Sequence, residues 1–158
     1  QGTMSLEIVE DLPEVDTAIV PLSGGGLISG VTLGLKLTVP DVKVIGVCME
    51  KGAAMIESLK AGHPVEIPEE PTLADNKYTY DIVKDYVDEK IQVSEEEISK
   101  GIAYVMENHK VIAEGASCVG IAYAMREGAV KPGSNVVIVV TGNGIGMDIV
   151  KQVINDNF

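Results

Sequence analysis

The segment TAIVPLSGGGLISG, residues 17–30, joins an apolar run to a helical pattern through three consecutive glycines. The run at 17–22 has almost no polar alternation, which is typical of a strand buried on both faces. A strand, a glycine turn and a helix in this order form the start of a βαβ unit. The segment therefore predicts a parallel sheet with helices packed against it.

The turn itself, SGGGL at residues 23–27, has the composition of an anion-binding loop. Glycines leave backbone N–H groups unobstructed at the positive end of a helix dipole. The loop matches neither GxGxxG nor GxxxxGK[ST], so a single phosphate monoester fits it better than a dinucleotide or a triphosphate. A tight turn without any ligand is the alternative interpretation.

Further apolar runs and helical patterns alternate along the rest of the chain. Strands are predicted at 17–22, 42–49, 89–94 and 135–142, and helices at 26–38, 52–61, 78–87, 95–108, 113–127 and 146–156. This alternation is typical of βαβ units. We expect an α/β fold of three layers, with a mostly parallel, twisted sheet and helices on both faces.

A second glycine loop, TGNGIG at residues 141–146, follows the last predicted strand. Ligands of parallel sheets bind outside the carboxyl ends of the strands. If the first and last strands are neighbours, the two glycine loops face one crevice.

Two local patterns are interpreted as structural. Ser94 and Glu97 form a capping box that starts a helix, whose inward stripe contains Ile98, Ile102, Val105 and Met106. Small residues recur four apart at Gly26, Gly30 and Gly34 and again at Ala116, Gly120 and Ala124. Because glycine weakens a helix, we expect close packing at Gly30 and Gly34 to offset its cost.

Composition and charge narrow the class of partner. The formal net charge of −12 disfavours nucleic acid and anionic membranes as partners, so a small molecule is expected.

Cys48 and Cys118 lack CxxC spacing and are interpreted as buried free thiols in a reducing compartment. No apolar run approaches the ~20 residues of a membrane span, so we expect a cytoplasmic protein. His63 and His109 are isolated and are interpreted as surface residues.

Six segments in order carry a resemblance to a known family: VPLSGGGLISG, KVIGVCMEKGAAMIESLKAG, TLAD, VDEKIQVSEEEI, KVIAEGASCVGIAYAM and VVIVVTGNG. Together they resemble the carboxyl-terminal half of the pyridoxal-phosphate enzymes of the tryptophan-synthase-β type. Within these the chain is most similar to the threonine/serine dehydratase family, and CMEKGAAM and SEEEI resemble a subgroup that includes ectoine-utilisation dehydratases. The resemblance implies the large domain of a fold-type II enzyme.

The resemblance also implies a set of cofactor-binding residues. The family's tetraglycine loop, which holds the phosphate of pyridoxal 5'-phosphate, falls on Ser23, Gly24, Gly25 and Gly26 and leads into Leu27. The family's hydroxyl partner of the pyridine nitrogen falls on Thr141, and Glu114 falls near the ring edge. A hydroxyl does not hold that nitrogen protonated, which favours β-elimination over racemisation. Capping a turn remains the alternative for Thr141, and an ordinary place in the first helical turn for Glu114.

Departures from the family pattern are equally informative. Metal-dependent members use carboxylates where this chain has Cys48 and Ala54, so no metal is predicted there. The Schiff-base lysine of the family lies in an amino-terminal motif that is not found here, so the catalytic residues stay unknown. We therefore expect residues 1–158 to be most of the large cofactor-binding domain, a fragment inactive alone. Members of the family usually have a glycine-rich stretch after LAD. We therefore expect that this sequence lacks such a stretch between Asp75 and Asn76.

The expected reaction is β-elimination of a hydroxy amino acid such as threonine or serine, which yields a 2-oxo acid and ammonia. A threonine synthase-like lyase and a non-catalytic phosphate-binding domain remain alternatives. The family resemblance implies a homodimer or homotetramer. The side chain of the substrate is not specified by these residues.

Overall fold

The computed structural model describes residues 1–51, 53–65 and 77–158. Within these residues the sheet has four strands in the order β3-β2-β1-β4, and every neighbouring pair is parallel. The strands are β1 (Thr17–Pro21), β2 (Lys43–Met49), β3 (Glu89–Val93) and β4 (Val136–Ile138). The predicted parallel α/β sheet is confirmed.

Helices connect the strands and cover both faces of the sheet. They are α1 (Thr3–Asp11), α2 (Gly26–Thr38), α3 (Ala54–Ala61), α4 (Lys77–Tyr86), α5 (Glu95–His109), α6 (Gly115–Ala124) and α7 (Met147–Asn157). Successive β1 residues alternate between two cores. Ala18 and Val20 pack with the helices that include α2, whereas Ile19 packs with α5 and α6. The molecule thus has the three layers that the apolar runs predict.

Glycines allow α1 to approach α2 closely and α6 to approach the sheet closely, as the recurring small residues predict. A Cβ on Gly34 would collide with the side chain of Ser5, and one on Gly30 would lie 2.8 Å from the Cβ of Gln1. On the other face, a Cβ on Gly120 would lie 2.9 Å from Ile138 Cγ2. These positions fix α1 against α2 and α6 against the sheet.

The start of α5 is also formed as the sequence predicts. The N–H of Ser94 donates to Glu97 Oε2 over 2.8 Å, and the N–H of Glu97 donates to Ser94 Oγ over 3.3 Å. Arg126 adds a hydrogen bond from Nε to Glu97 Oε1 at 2.6 Å. The guanidinium contact is the main reason that the pKa of Glu97 falls to about 2.

The last strand is shorter than predicted, because β4 ends at Ile138 instead of continuing to residue 142. The ladder with β1 still includes a bond from the N–H of Val139 to the oxygen of Ile19 at 2.9 Å. The next donor on this side of β1 would be the N–H of Pro21, a group that proline lacks. The chain therefore leaves the sheet early, and Thr141 lies in a loop.

Two predicted helices differ from the structure by two or more residues at an end. Helix α6 covers Gly115–Ala124 instead of 113–127, because its cap is at Glu114 and a turn follows Met125. Helix α3 begins at Ala54.

Candidate functional site

A cavity of about 320 Å³ lies at the carboxyl ends of β1 and β2. All seven residues that the sequence nominates for cofactor binding line it: Ser23, Gly24, Gly25, Gly26, Leu27, Glu114 and Thr141. The two glycine loops therefore face one crevice, as expected from neighbouring strands. This convergence depends on β1 and β4 being paired in parallel.

The loop at residues 23–27 presents unused donors to this cavity. Within the described part of the chain, the N–H groups of these five residues donate no hydrogen bond, and the first bond into α2 runs from Ser29 to the oxygen of Gly25 at 2.9 Å. Among the residues that the structure describes, no side chain caps α2, and its first turn contains no acidic residue. The positive end of the helix dipole is thus free to receive an anion.

Two glycines of the loop have different structural roles. Gly25 has a φ of +89°, and a Cβ there would lie 2.8 Å from Thr79 Cβ and 2.9 Å from Met55 Cε. The hydroxyl of Thr79 also donates to the oxygen of Gly24 over 2.8 Å, which holds the loop from the side of α4. Gly26, by contrast, would place a Cβ within 4 Å of no atom of the described residues. Packing therefore requires glycine at 25, whereas glycine at 26 leaves space beside the cavity.

Thr141 lies on the wall formed by the second glycine loop. Its side chain is exposed, and its hydroxyl oxygen lies 3.1 Å from that of Ser117. Ser117 belongs to α6 and is completely buried. Ser117 is not recognisable from the sequence, because a serine among the small residues of a helix carries no signal until the fold brings Thr141 to it.

Glu114 links α6 to the second glycine loop. Its carboxylate accepts the N–H of Gly144 over 3.0 Å, and its own N–H donates to the oxygen of Gly142 over 3.1 Å. A Cβ on Gly142 would collide with this carboxylate, which explains why that position is glycine. Glu114 therefore supports the loop as well as lining the cavity, and its contact with a cofactor ring stays a prediction.

The positions that carry carboxylates in metal-dependent relatives have different chemistry here. Cys48 lines the cavity, and burial raises the pKa of its thiol to about 11. Ala54 starts α3 and offers no side-chain ligand. Across the described residues, no group of three or more His, Cys, Asp or Glu side chains is arranged to hold a metal ion.

The other sequence predictions have mixed outcomes. Cys48 and Cys118 are buried and free, and His63 and His109 are exposed, as expected. The proposed gap between Asp75 and Asn76 and the TLAD motif lie outside the described residues. Among the helices searched in the described chain, none has the length and apolar character needed to span a bilayer.

A larger groove of about 810 Å³ lies beside the cavity, and Thr141 lines both. Its walls are mainly apolar and include Val111, Ile112, Met125 and Val140, all of which are exposed. The smaller cavity contains the unused amides and the glycine loop. The smaller cavity is therefore the better candidate for a phosphorylated ligand.

Comparisons with known proteins show what this chain is similar to. Residues 1–142 match the model of the family described as "Pyridoxal-phosphate dependent enzyme". The L-threonine ammonia-lyase of Thermotoga maritima is 45% identical over 162 residues, which cover 98% of this chain and 40% of that protein. The chain spans 40–49% of the length of the curated relatives that it matches here.

Solved structures of other proteins share the fold of this chain. A structure of maize serine racemase superposes with a TM-score of 0.80 at 32% identity, covering 98% of this chain and 50% of that one. The processed form of threonine deaminase isoform 2 from Solanum lycopersicum superposes with a TM-score of 0.81 at 28% identity, covering 98% and 48%.

Proposed function

This chain belongs to the family of pyridoxal-phosphate-dependent enzymes, and from that premise we propose that it forms the cofactor site of a threonine dehydratase-type ammonia-lyase. The observation that carries the proposal is the arrangement of the cavity. Unused amides of residues 23–27 form one wall, and the hydroxyl of Thr141 stands on another. The relative from Thermotoga maritima, named an L-threonine ammonia-lyase, supports the same reaction.

The phosphate of the cofactor would be held by the glycine loop. Several N–H groups and a helix dipole stabilise a dianion without requiring a lysine or arginine. The hydroxyl of Ser23 is exposed at this cavity and adds a further donor. Leu27 would cover the loop where α2 begins.

The ring would be oriented by the second glycine loop. Thr141 would donate its hydroxyl proton to the pyridine nitrogen, and Glu114 would approach the ring edge while supporting the loop. A neutral hydroxyl stabilises an unprotonated nitrogen, whereas a carboxylate would hold the nitrogen protonated. When bound, pyridoxal phosphate supplies the electron sink that labilises the α-proton of an amino acid, and a weaker sink favours prompt loss of a β-hydroxyl.

In the proposed reaction an amino acid with a β-hydroxyl loses its α-proton and that hydroxyl, which together make one molecule of water. Hydrolysis then consumes one molecule of water and releases a 2-oxo acid and ammonia. The described residues bind the phosphate, orient the ring and supply the hydroxyl donor. Acid–base groups for the proton steps stay unassigned.

The lysine that would bind the cofactor covalently is proposed to lie outside residues 1–158, so that this chain is most of the large cofactor-binding domain and is inactive alone. Among the residues that line the cavity in the described structure, none is a lysine. The match to only 40–49% of the relatives' length is consistent with this proposal.

Borohydride reduction of the full-length gene product, loaded with pyridoxal phosphate, tests the location of this lysine. Peptide mass spectrometry should find the reduced cofactor on a lysine outside this sequence. A reduced cofactor on any lysine within residues 1–158 would contradict the proposal.

The reaction is tested by product analysis with the same full-length protein. L-Threonine and L-serine should yield 2-oxo acids and equimolar ammonia only when pyridoxal phosphate is present. Conversion of phosphohomoserine to threonine would indicate a threonine synthase instead, and accumulation of D-serine without ammonia would indicate a racemase. Absence of a visible cofactor band, with the lysine-bearing portion present, would leave only a non-catalytic phosphate-binding domain.

We further propose that the protein works in the cytoplasm as a homodimer or homotetramer without nucleic-acid or membrane partners. The net charge of −12 disfavours nucleic-acid and membrane partners, the two buried free thiols are consistent with a reducing compartment, and the oligomeric state rests on the family resemblance. Light scattering of the full-length protein would test the oligomeric state, and a monomer at micromolar concentration would refute it.

A further inference from the structure

We propose that Ser117 is a positioning residue that fixes the hydroxyl of Thr141 as a hydrogen-bond donor toward the pyridine nitrogen of the cofactor. This inference rests on the proposed function, because it concerns how the site would hold that ring. It assigns a role to a buried residue that does not itself line the cavity.

The two hydroxyls have very different surroundings. Ser117 lies in the first turn of α6 with 0% of its surface exposed, and its N–H donates to the oxygen of Glu114 over 3.0 Å. Its Oγ lies 3.1 Å from Thr141 Oγ1, and the threonine side chain faces the cavity. Ser117 therefore stands behind Thr141, on the side away from any ligand.

This difference in burial sets the direction of the hydrogen bond. Within the described chain, the hydroxyl of Ser117 forms its hydrogen bond with Thr141 and with no other group. If Thr141 donated, the proton of Ser117 would be buried without an acceptor, which is unfavourable. If Ser117 donates, both of these protons are satisfied, because the proton of Thr141 can reach solvent or a ligand.

The consequence for the site is a hydroxyl with a defined role. With one lone pair engaged by Ser117, Thr141 directs its own proton toward the cavity, and accepting a hydrogen bond makes it a stronger donor. A donor matches an unprotonated pyridine nitrogen and not a protonated one. Ser117 would therefore favour the neutral form of the ring nitrogen by acting through Thr141.

The first test compares cofactor affinity in the full-length gene product. Ser117→Ala should weaken binding of pyridoxal phosphate roughly three- to tenfold, as expected when one neutral hydrogen bond in a site is weakened. Ser58→Ala is the control, because Ser58 is also a buried helical serine and does not line the cavity; its hydroxyl donates to the oxygen of Ala54 over 2.8 Å and accepts the N–H of Val65 over 3.0 Å. The control should leave the affinity unchanged within twofold.

The second test distinguishes positioning from simple bracing of the loop. With cofactor labelled by ¹⁵N in the ring, the wild-type resonance should be that of a hydrogen-bonded, unprotonated pyridine. Ser117→Ala should move it toward a free pyridine nitrogen. In a protein that already carries Thr141→Val, Ser117→Ala should leave the resonance unchanged and the affinity within twofold. The reason is that Ser117 acts through the hydroxyl of Thr141, which this background lacks.

The possible outcomes separate this inference from the proposed function. If the wild type binds the cofactor but Ser117→Ala changes neither affinity nor resonance, the inference is wrong and the function stands. The inference is also wrong if Ser117→Ala has equal effects with and without the hydroxyl of Thr141, or if the wild-type nitrogen is protonated. If the wild type with its lysine-bearing portion binds no cofactor, the proposed function fails and the inference fails with it.

Discussion

Replacing Gly26 by alanine should separate the binding role of the glycine loop from its structural role. Among residues 1–51, 53–65 and 77–158, no atom lies within 4 Å of a Cβ placed at this position, and residue 26 is the first residue of α2. Alanine is a better helix former than glycine, so the free energy of unfolding should stay unchanged or rise by up to about 1 kcal/mol. Because the residue lines the cavity, the added methyl group would occupy space that the phosphate is proposed to use.

The expected loss of affinity follows from the amides. Losing one charge-assisted hydrogen bond costs roughly 1.5–3 kcal/mol, so the affinity for pyridoxal phosphate should fall roughly 10- to 150-fold. Spectroscopic titration of the full-length protein measures the affinity, and urea unfolding measures the stability. A stable Gly26→Ala protein that binds the cofactor within twofold of wild type would refute the assignment of the phosphate to this loop.

Two further glycines provide controls for backbone strain. Gly62 has a φ of +78°, and a Cβ placed there would have no atom of the described chain within 4 Å, so Gly62→Ala should cost roughly 1–2 kcal/mol of stability and leave affinity unchanged. Gly25→Ala adds a clash with Thr79 and Met55 to the same strain, which brings the expected cost to roughly 2–5 kcal/mol. If Gly25→Ala were no less stable than Gly62→Ala, the packing described around the loop would be wrong.

Three other outcomes are expected. Gly34→Ala should destabilise the protein by roughly 1–3 kcal/mol because its Cβ would collide with Ser5, and Ser5→Gly should restore part of the loss in urea unfolding; no rescue would contradict the described contact of α1 with α2. Glu97→Gln should cost about 1 kcal/mol at pH 7 by removing the ion pair with Arg126. Because the folded pKa of Glu97 is about 2, below its ordinary value of 4.5, this cost should be full above pH 4.5 and vanish as the pH falls toward 2; a cost independent of pH would contradict the ion pair. Burial raises the pKa of both cysteine thiols to about 11, so native protein at pH 8 should react with a thiol reagent far more slowly than unfolded protein; equal rates would contradict their burial.

The layers of the fold are predictable from the sequence because their causes are local. Nearly continuous apolar runs predicted β1, β2 and β4, the run EKIQVS predicted β3, and the capping box predicted the start of α5 at Glu95. The end of β4 is not predictable in this way, because it depends on which residue of β1 faces it. Only the register shows that Pro21 stands where a donor is needed.

The candidate site divides along the same line. Glycine loops that follow predicted strands can be recognised in the sequence, and the fold brings both loops to one cavity. The contact between Ser117 and Thr141 joins residues 24 apart, and the collision that keeps Gly142 a glycine involves the side chain of Glu114. Such pairings arise from packing, so spacing along the chain does not reveal them.

A crystal structure of the full-length protein with pyridoxal phosphate bound tests the central claim most directly. We predict phosphate oxygens about 3 Å from the N–H groups of residues 23–27 and a ring nitrogen facing the hydroxyl of Thr141. A phosphate bound away from this loop, or a ring nitrogen paired with a carboxylate, would contradict the account.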